Sequence, residues 1–228
     1  MAFNIAIDGP AGAGKSTIAK QIAKKLSFVY VDTGAMYRSI ALYMIRNNID
    51  IYNEEAVSNV CSDIHISIKY EGEEQQVILN EENVTSFIRA EEVGVVASVV
   101  SAYPKVRETL LKLQQQLAAS NDVIMDGRDI GTCVLPNADV KIYLTADARV
   151  RANRRYLELK KKGQECNIDE IEKDIVDRDY RDMTREISPL CQAEDAVVVN
   201  TSDMNIDEVI DAIIAIVNAN KMSERKEV

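Results

Sequence analysis

The chain has 228 residues, with 37 acidic against 27 basic side chains and a formal net charge of −10. That length suits one large α/β domain with a small insertion and a sizeable core, and the acidic balance argues against gripping a nucleic-acid backbone through bulk positive charge, so any polyanion site must be local. The apolar run at 3–7 is too short for a secretory signal, nothing else approaches a membrane span, and Cys61, Cys133, Cys166 and Cys191 are scattered without a C-x-x-C pair, as expected of reduced thiols in a cytoplasmic protein.

Phe3 to Ile7 predicts a first strand, followed by a glycine-rich loop and a helix over Lys15 to Leu26. Phe28 to Val31 predicts a short second strand, and "DTGAMYRSIALYMIRNN" a helix that starts at Thr33 and Gly34 and closes near Asn47. From Ile64 to Val84 the period changes to two. "IHISIKY", a polar tip and "QVILNEENV" predict a β excursion rather than another parallel unit, with His65 on a strand surface rather than serving as ligand or base. Helical patterns run from Arg89 to Ala102, break at Pro104 and resume through Leu117. The stretches 122–129, 139–147 and 195–200 read as buried strands. Helices are expected over 148–162, over 168–185 and from Ile206 to Asn220, with "KMSERKEV" a solvated tail. Strands alternating with helices predict an α/β fold with a mostly parallel sheet flanked by helices.

The loop after the first strand reads Gly9-Pro10-Ala11-Gly12-Ala13-Gly14-Lys15-Ser16-Thr17. It satisfies G-x-x-x-x-G-K-[ST] between a strand and a helix, the context in which that spacing makes a phosphate loop. Gly9, Gly12 and Gly14 leave no Cβ in the way, so backbone N–H groups can turn inward on phosphate oxygens, and the following helix adds its positive end. Lys15 supplies a full charge for the β- and γ-phosphates; the Ser16 hydroxyl is placed for Mg²⁺, with Thr17 as an alternative. No N-K-x-D tetrapeptide is present to read guanine, which argues against a GTPase switch.

A small-molecule kinase needs a second anion site, and three segments offer arginines for one. Arg38 lies one turn into the helix after the second strand, and Arg128 with Asp129 follows the strand at 122–126, both at the sheet edge where ligands gather. Arg178, Arg181, Asp182 and Arg185 fall on one helix face by i, i+3, i+4 and i+7. Asp126 could hold Mg²⁺ through water or cap the next turn. Arg151 and Arg155, one helical turn apart in a basic stretch, could reach a transferring phosphoryl group.

"IDGPAGAGKST", "DTGAMYR", "YPKVRE", "MDGRDIGT", "ADVKIYLTAD" and "RDYRDMTR" occur in an order and spacing that resembles the bacterial cytidylate kinases over nearly the whole chain. The resemblance implies a single P-loop kinase domain over 1–228, with a monophosphate-binding part at about 34–105 carrying a β insert at about 64–84, and a lid at 149–167. It implies transfer of the γ-phosphoryl group of MgATP to CMP or dCMP, with Arg38 and Arg128 on the acceptor phosphate. Thr33, Arg178 and Asp182 would meet the sugar, while Ser98, Arg107, Asp129 and Arg185 would surround the cytosine. A serine is common in the family where Thr33 stands, and the position of Ser16 varies, which makes its Mg²⁺ role weaker than that of Lys15. The implied partners are small molecules only, with no nucleic acid and no membrane; a cytoplasmic monomer is the working expectation. A kinase for another small acceptor, or a nucleotide-dependent binding protein with slow hydrolysis, would share the loop without the base-reading set.

Overall fold

Strand β1, Asn4–Asp8, is buried from Ile5 onward, the all-round burial expected of a strand inside a parallel sheet. The glycine loop follows, then helix α1, Lys15–Leu26, whose Ile18, Ala19, Ile22 and Ala23 face inward at helical spacing. In this computed structural model residues 2–72 and 74–224 are described. The backbone forms two units: Val29–Val123 is one, and Phe3–Phe28 with the chain from Ile124 onward is the other.

The first unit begins with β2, Val29–Asp32, and α2, Thr33–Arg46. Asp32 caps α2, its Oδ1 accepting the Ala35 N–H at 2.9 Å. A short helix the sequence reading did not anticipate, α3 at Glu54–Val60, is capped by Asn53 and runs into a single 3₁₀ turn at Cys61–Asp63. The period-two segment forms a small antiparallel sheet of β3, Ile66–Glu71, β4, Glu74–Leu79, and β5, Glu82–Asn83, in that order, with Ile66 opposite Leu79. His65 is exposed just before β3. The helical pattern expected from Arg89 divides into a 3₁₀ turn at Phe87–Arg89 and α4, Glu91–Val100. Helix α5, Pro104–Ser120, takes Pro104 in its first turn, where the missing N–H costs nothing. Met36, Ile40, Met44, Ile88, Val100 and Leu110 are fully enclosed in this unit.

In the second unit β6, Val123–Asp126, β7, Val140–Thr145, and β8, Val197–Asn200, join β1 in the order β6-β1-β7-β8. The β1–β7 pairing is parallel from Ile5↔Val140 to Asp8↔Tyr143, and β7–β8 is parallel from Ile142↔Val197 to Thr145↔Asn200. Gly127 N–H donates to the Ile7 carbonyl, which brings the end of β6 beside the end of β1. The loops leaving Asp8, Asp126 and Thr145 therefore share one sheet edge. Helices α6, Ala148–Lys161, α7, Ile168–Thr184, and α8, Ile206–Glu224, complete the unit.

Two expectations are corrected. The 195–200 stretch is the outermost strand of this group, not a buried one, with Val197 and Val198 about half exposed. The tail expected from Lys221 continues α8 to Glu224, and its last four residues lie outside the described ones. The helix holds on because the Lys221 Nζ sits 4.6 Å and 4.8 Å from the ring centres of Phe3 and Phe28.

Candidate active site

The phosphate loop folds around its own lysine. Lys15 Nζ donates to the carbonyls of Gly9 at 2.7 Å and Pro10 at 2.8 Å, and the side chain is only 6% exposed. Burial, followed by the nearby Arg128 guanidinium, pushes the Lys15 ammonium well below the ordinary lysine range, against the pull of Asp126 and Asp8. An incoming polyphosphate would reverse that balance. Asp32, Asn53 and Asn167 cap α2, α3 and α7 through their side chains; α1 starts at Gly14 with no side-chain cap, as α4, α5 and α6 also do at their own starts. A helix start without a side-chain cap leaves first-turn N–H groups of the kind an anion can meet.

Beside Lys15, the Ser16 hydroxyl donates to Asp126 Oδ2 at 2.8 Å. A hydroxyl and a carboxylate are hard oxygen donors of the kind Mg²⁺ takes, and the described residues hold no group of three or more His, Cys, Asp or Glu placed for a metal. Such an ion would draw most of its ligands from phosphate and water, as Mg²⁺ ordinarily does. Thr17 is exposed one residue further on.

The segment after β6 carries the next group. Arg128 Nε donates to Asp182 Oδ2 at 3.0 Å, and Arg185 lies 3.9 Å from Asp182 Oδ1 and 3.5 Å from Asp129 Oδ1. Guanidinium and carboxylate alternate as Arg128, Asp182, Arg185, Asp129, so two buried carboxylates are charge-compensated within the protein. The expected face of α7 is narrower than its spacing suggested. Asp182 and the half-buried Arg178 turn inward, but Arg181 is exposed with its Nε on the Asp177 carbonyl. The buried stripe is Ile175, Asp179 and Asp182, and Arg181 falls outside it. Arg185 is past the last helical residue, in extended backbone, with its Nε on the Ser188 carbonyl at 2.7 Å.

Two carboxylates absent from the sequence reading hold this region together. Asp179 Oδ1 accepts the Ala11 N–H at 2.9 Å, while Arg151 gives Nη1 to the Ala11 carbonyl at 2.7 Å and to Asp179 Oδ2 at 2.6 Å. Both polar groups of one loop residue are thus held by an ion pair between α6 and α7. Arg151 Nε is also engaged, on the Ala146 carbonyl. Arg155 instead pairs with Glu158 near the surface. Asp8, the last residue of β1, accepts the Ile130 N–H at 2.8 Å and the Gly131 N–H at 2.7 Å. Burial pushes its carboxyl up to about 6 despite these bonds and despite Lys15. A charged residue ending an apolar strand was the available signal for Asp8. Asp179 sat one position off the face that was counted.

The other candidates lie in the first unit. Thr33 is buried in the first turn of α2, and Gln75 brackets the preceding residue, its Oε1 accepting the Asp32 N–H at 2.8 Å and its Nε2 donating to the Asp32 carbonyl at 3.2 Å. Arg38 donates to the carbonyls of Ile88 and Ala90, and a Cβ on Gly94 would come within 2.9 Å of its guanidinium, so that glycine makes its room. Arg107, 9% exposed, donates to the Ser101 carbonyl and lies over the Tyr37 ring. Among the described residues the buried Ser98 hydroxyl oxygen has no hydrogen-bond partner, an arrangement that suits a ligand group.

The family model described as cytidylate kinase matches residues 5–219. A cytidylate kinase of Caldicellulosiruptor saccharolyticus is 50% identical over 212 residues, 93% of this chain and 94% of that protein. One from Listeria innocua is 50% identical over 213 residues, with the same coverage of 93% and 94%. Among solved structures, an uncharacterized protein from Eubacterium ventriosum has a TM-score of 0.54 at 11% identity, over 95% of this chain and 98% of that one, a likeness of fold.

Proposed function

The chain belongs to the cytidylate kinase family, and on that premise we propose that it transfers the γ-phosphoryl group of ATP to CMP, and to dCMP, giving CDP or dCDP and ADP. The observation that carries the reading is the buried Lys15 at an uncapped helix start, in the same unit as the Arg128–Asp182–Arg185–Asp129 chain of charges. Both substrates are polyanions, so the work is to align them and offset their repulsion. Lys15 and the N–H groups at the start of α1 hold the donor phosphates, and Arg128 takes the acceptor phosphate. The attacking CMP oxygen is already ionised, so no general base is required and no histidine is needed. In the transfer a bond forms from that oxygen to the γ-phosphorus as the bond to the β–γ bridging oxygen breaks. Mg²⁺, held by Ser16 and through water by Asp126, would neutralise charge on the β- and γ-oxygens.

Arg178 and Asp182 meet the sugar and Asp129 and Arg185 the cytosine; in the first unit Arg38 serves the acceptor phosphate, Thr33 the sugar, and Ser98 and Arg107 the base. The stretch 149–167 acts as a lid, with Arg155 the arginine available to swing onto the transferring group and Arg151 anchoring the lid to the loop at Ala11. The enzyme works in the cytoplasm on small molecules, as a monomer. An ADP-release assay across CMP, dCMP, UMP, AMP and small metabolites tests the whole reading. Turnover concentrated on CMP and dCMP is expected. Turnover on another acceptor would reassign the kinase, and slow hydrolysis indifferent to acceptor would make it a nucleotide-dependent binding protein.

A further inference from the structure

Asp8 is assigned no substrate contact in the proposed transfer, although its charge favours the Lys15 ammonium. It precedes the phosphate loop, being neither a loop glycine nor the loop lysine. Yet it is 5% exposed, and its two oxygens are spent on two successive backbone N–H groups, those of Ile130 and Gly131. Those residues follow Arg128 and Asp129 directly and open a wide turn over Ile130–Val134, closed by bonds from the Val134 N–H to the Asp129 carbonyl and from the Leu135 N–H to the Ile130 carbonyl. We propose that Asp8 is a positioning residue for the acceptor site: it grips the turn after β6 so that Arg128 and Asp129 are held against the phosphate loop that Asp8 itself launches.

The residue type follows from the geometry. Two adjacent N–H groups need two acceptors a carboxylate's width apart, reached by a short side chain from the neighbouring strand. Asparagine offers one acceptor and presents an amino group to the other N–H. Alanine leaves two buried donors unpaired. Because Asp8 ends β1 and Gly9 begins the loop, the grip ties the donor-phosphate loop and the Arg128–Asp129 segment to one point. A displacement of about 1 Å between reacting groups is enough to slow a transfer of this kind strongly. If the contact served only to close the turn, its loss would lower stability without favouring one substrate over the other.

The proposal rests on Arg128 serving the acceptor, and the test separates the two ideas. Asp8→Asn, Arg128→Ala and the double variant are compared with the parent for the KM of CMP and for the Kd of MgATP by calorimetry. Asp8→Asn should raise the KM for CMP ten-fold or more while leaving the MgATP Kd within two-fold, and the double variant should be little worse than Arg128→Ala alone. Should Asp8→Asn not fold, Asp8→Glu keeps both acceptor oxygens but sets them one methylene further from β1, so it shifts the turn without leaving its N–H groups unpaired. Its effect should fall on CMP in the same sense. An unchanged KM for CMP in the folded Asp8 variant, an equal loss for both substrates, or fully multiplicative effects in the double variant would overturn the role of Asp8. If Arg128→Ala itself spares CMP, the acceptor assignment falls, and this proposal with it.

Discussion

Gly9 is where the phosphate loop leaves the sheet, and its replacement by alanine isolates a single physical cost. Its φ of +147° belongs to a region that side chains rarely enter, and an added Cβ would stand 2.0 Å from the Leu144 carbonyl oxygen and 3.0 Å from the carbon behind it. Leu144 lies within β7, which is paired with β1 on one side and β8 on the other, so the carbonyl cannot retreat without loosening both pairings. Roughly 1–3 kcal/mol of backbone strain adds to about 1–3 kcal/mol of overpacking. Gly14 is the internal control. Its φ is +89° and no heavy atom of the described residues lies within 4 Å of an added Cβ, so Gly14→Ala costs about 1–2 kcal/mol through conformation alone. In a chain of this size each kcal/mol moves Tm by about 2–4 °C. Calorimetry on the nucleotide-free variants should therefore place Gly9→Ala about 5–20 °C below the parent and clearly below Gly14→Ala. Equal melting temperatures for the two would refute the collision, and with it the close approach of the loop to β7.

Lys15→Ala should leave a folded protein with kcat reduced by roughly 10²-fold or more, because a charge disappears from the transferring group; steady-state turnover near the parent value would remove the phosphate-loop mechanism. In Asp129→Ala the preference for CMP over UMP, expected at roughly ten-fold or more in the parent, should fall toward one, chiefly through lost CMP use. A full preference in that variant would assign base recognition to other residues. Asp8 also predicts a pH dependence of stability: its folded-state pKa is raised from 3.8 to about 6, so the native protein takes up a proton before the unfolded chain does. The cost of burying the charge, about 3 kcal/mol for a shift of that size, is present above about pH 6 and is relieved as the pH falls toward 4. Denaturant unfolding should show the parent gaining on Asp8→Asn over that interval, and a constant gap would contradict the raised pKa.

Sequence alone determined the features that depend on neighbours along the chain. The glycine loop with Lys15 and Ser16 is one, since its spacing encodes a strand-to-helix turn with inward N–H groups. The order of strands and helices, the short α3 apart, is another, because burial on a strand or helix imposes a period of two or 3.6, and Pro104 marked where α5 begins. Tertiary structure decided what depends on contacts between distant segments. Whether 195–200 is central or outermost follows from which strand it pairs with, and Val197 looks as apolar at either place. Whether α8 stops at Asn220 or continues depends on Lys221 finding Phe3 and Phe28. The inward stripe of α7 was set by what Asp179 and Asp182 reach, so Arg181 points to solvent although its spacing matched. Asp8 and Asp179 were missed for the same reason. A buried carboxylate survives only where donors converge on it, and those donors, on Gly131 and Ala11, lie 123 and 168 residues away along the chain.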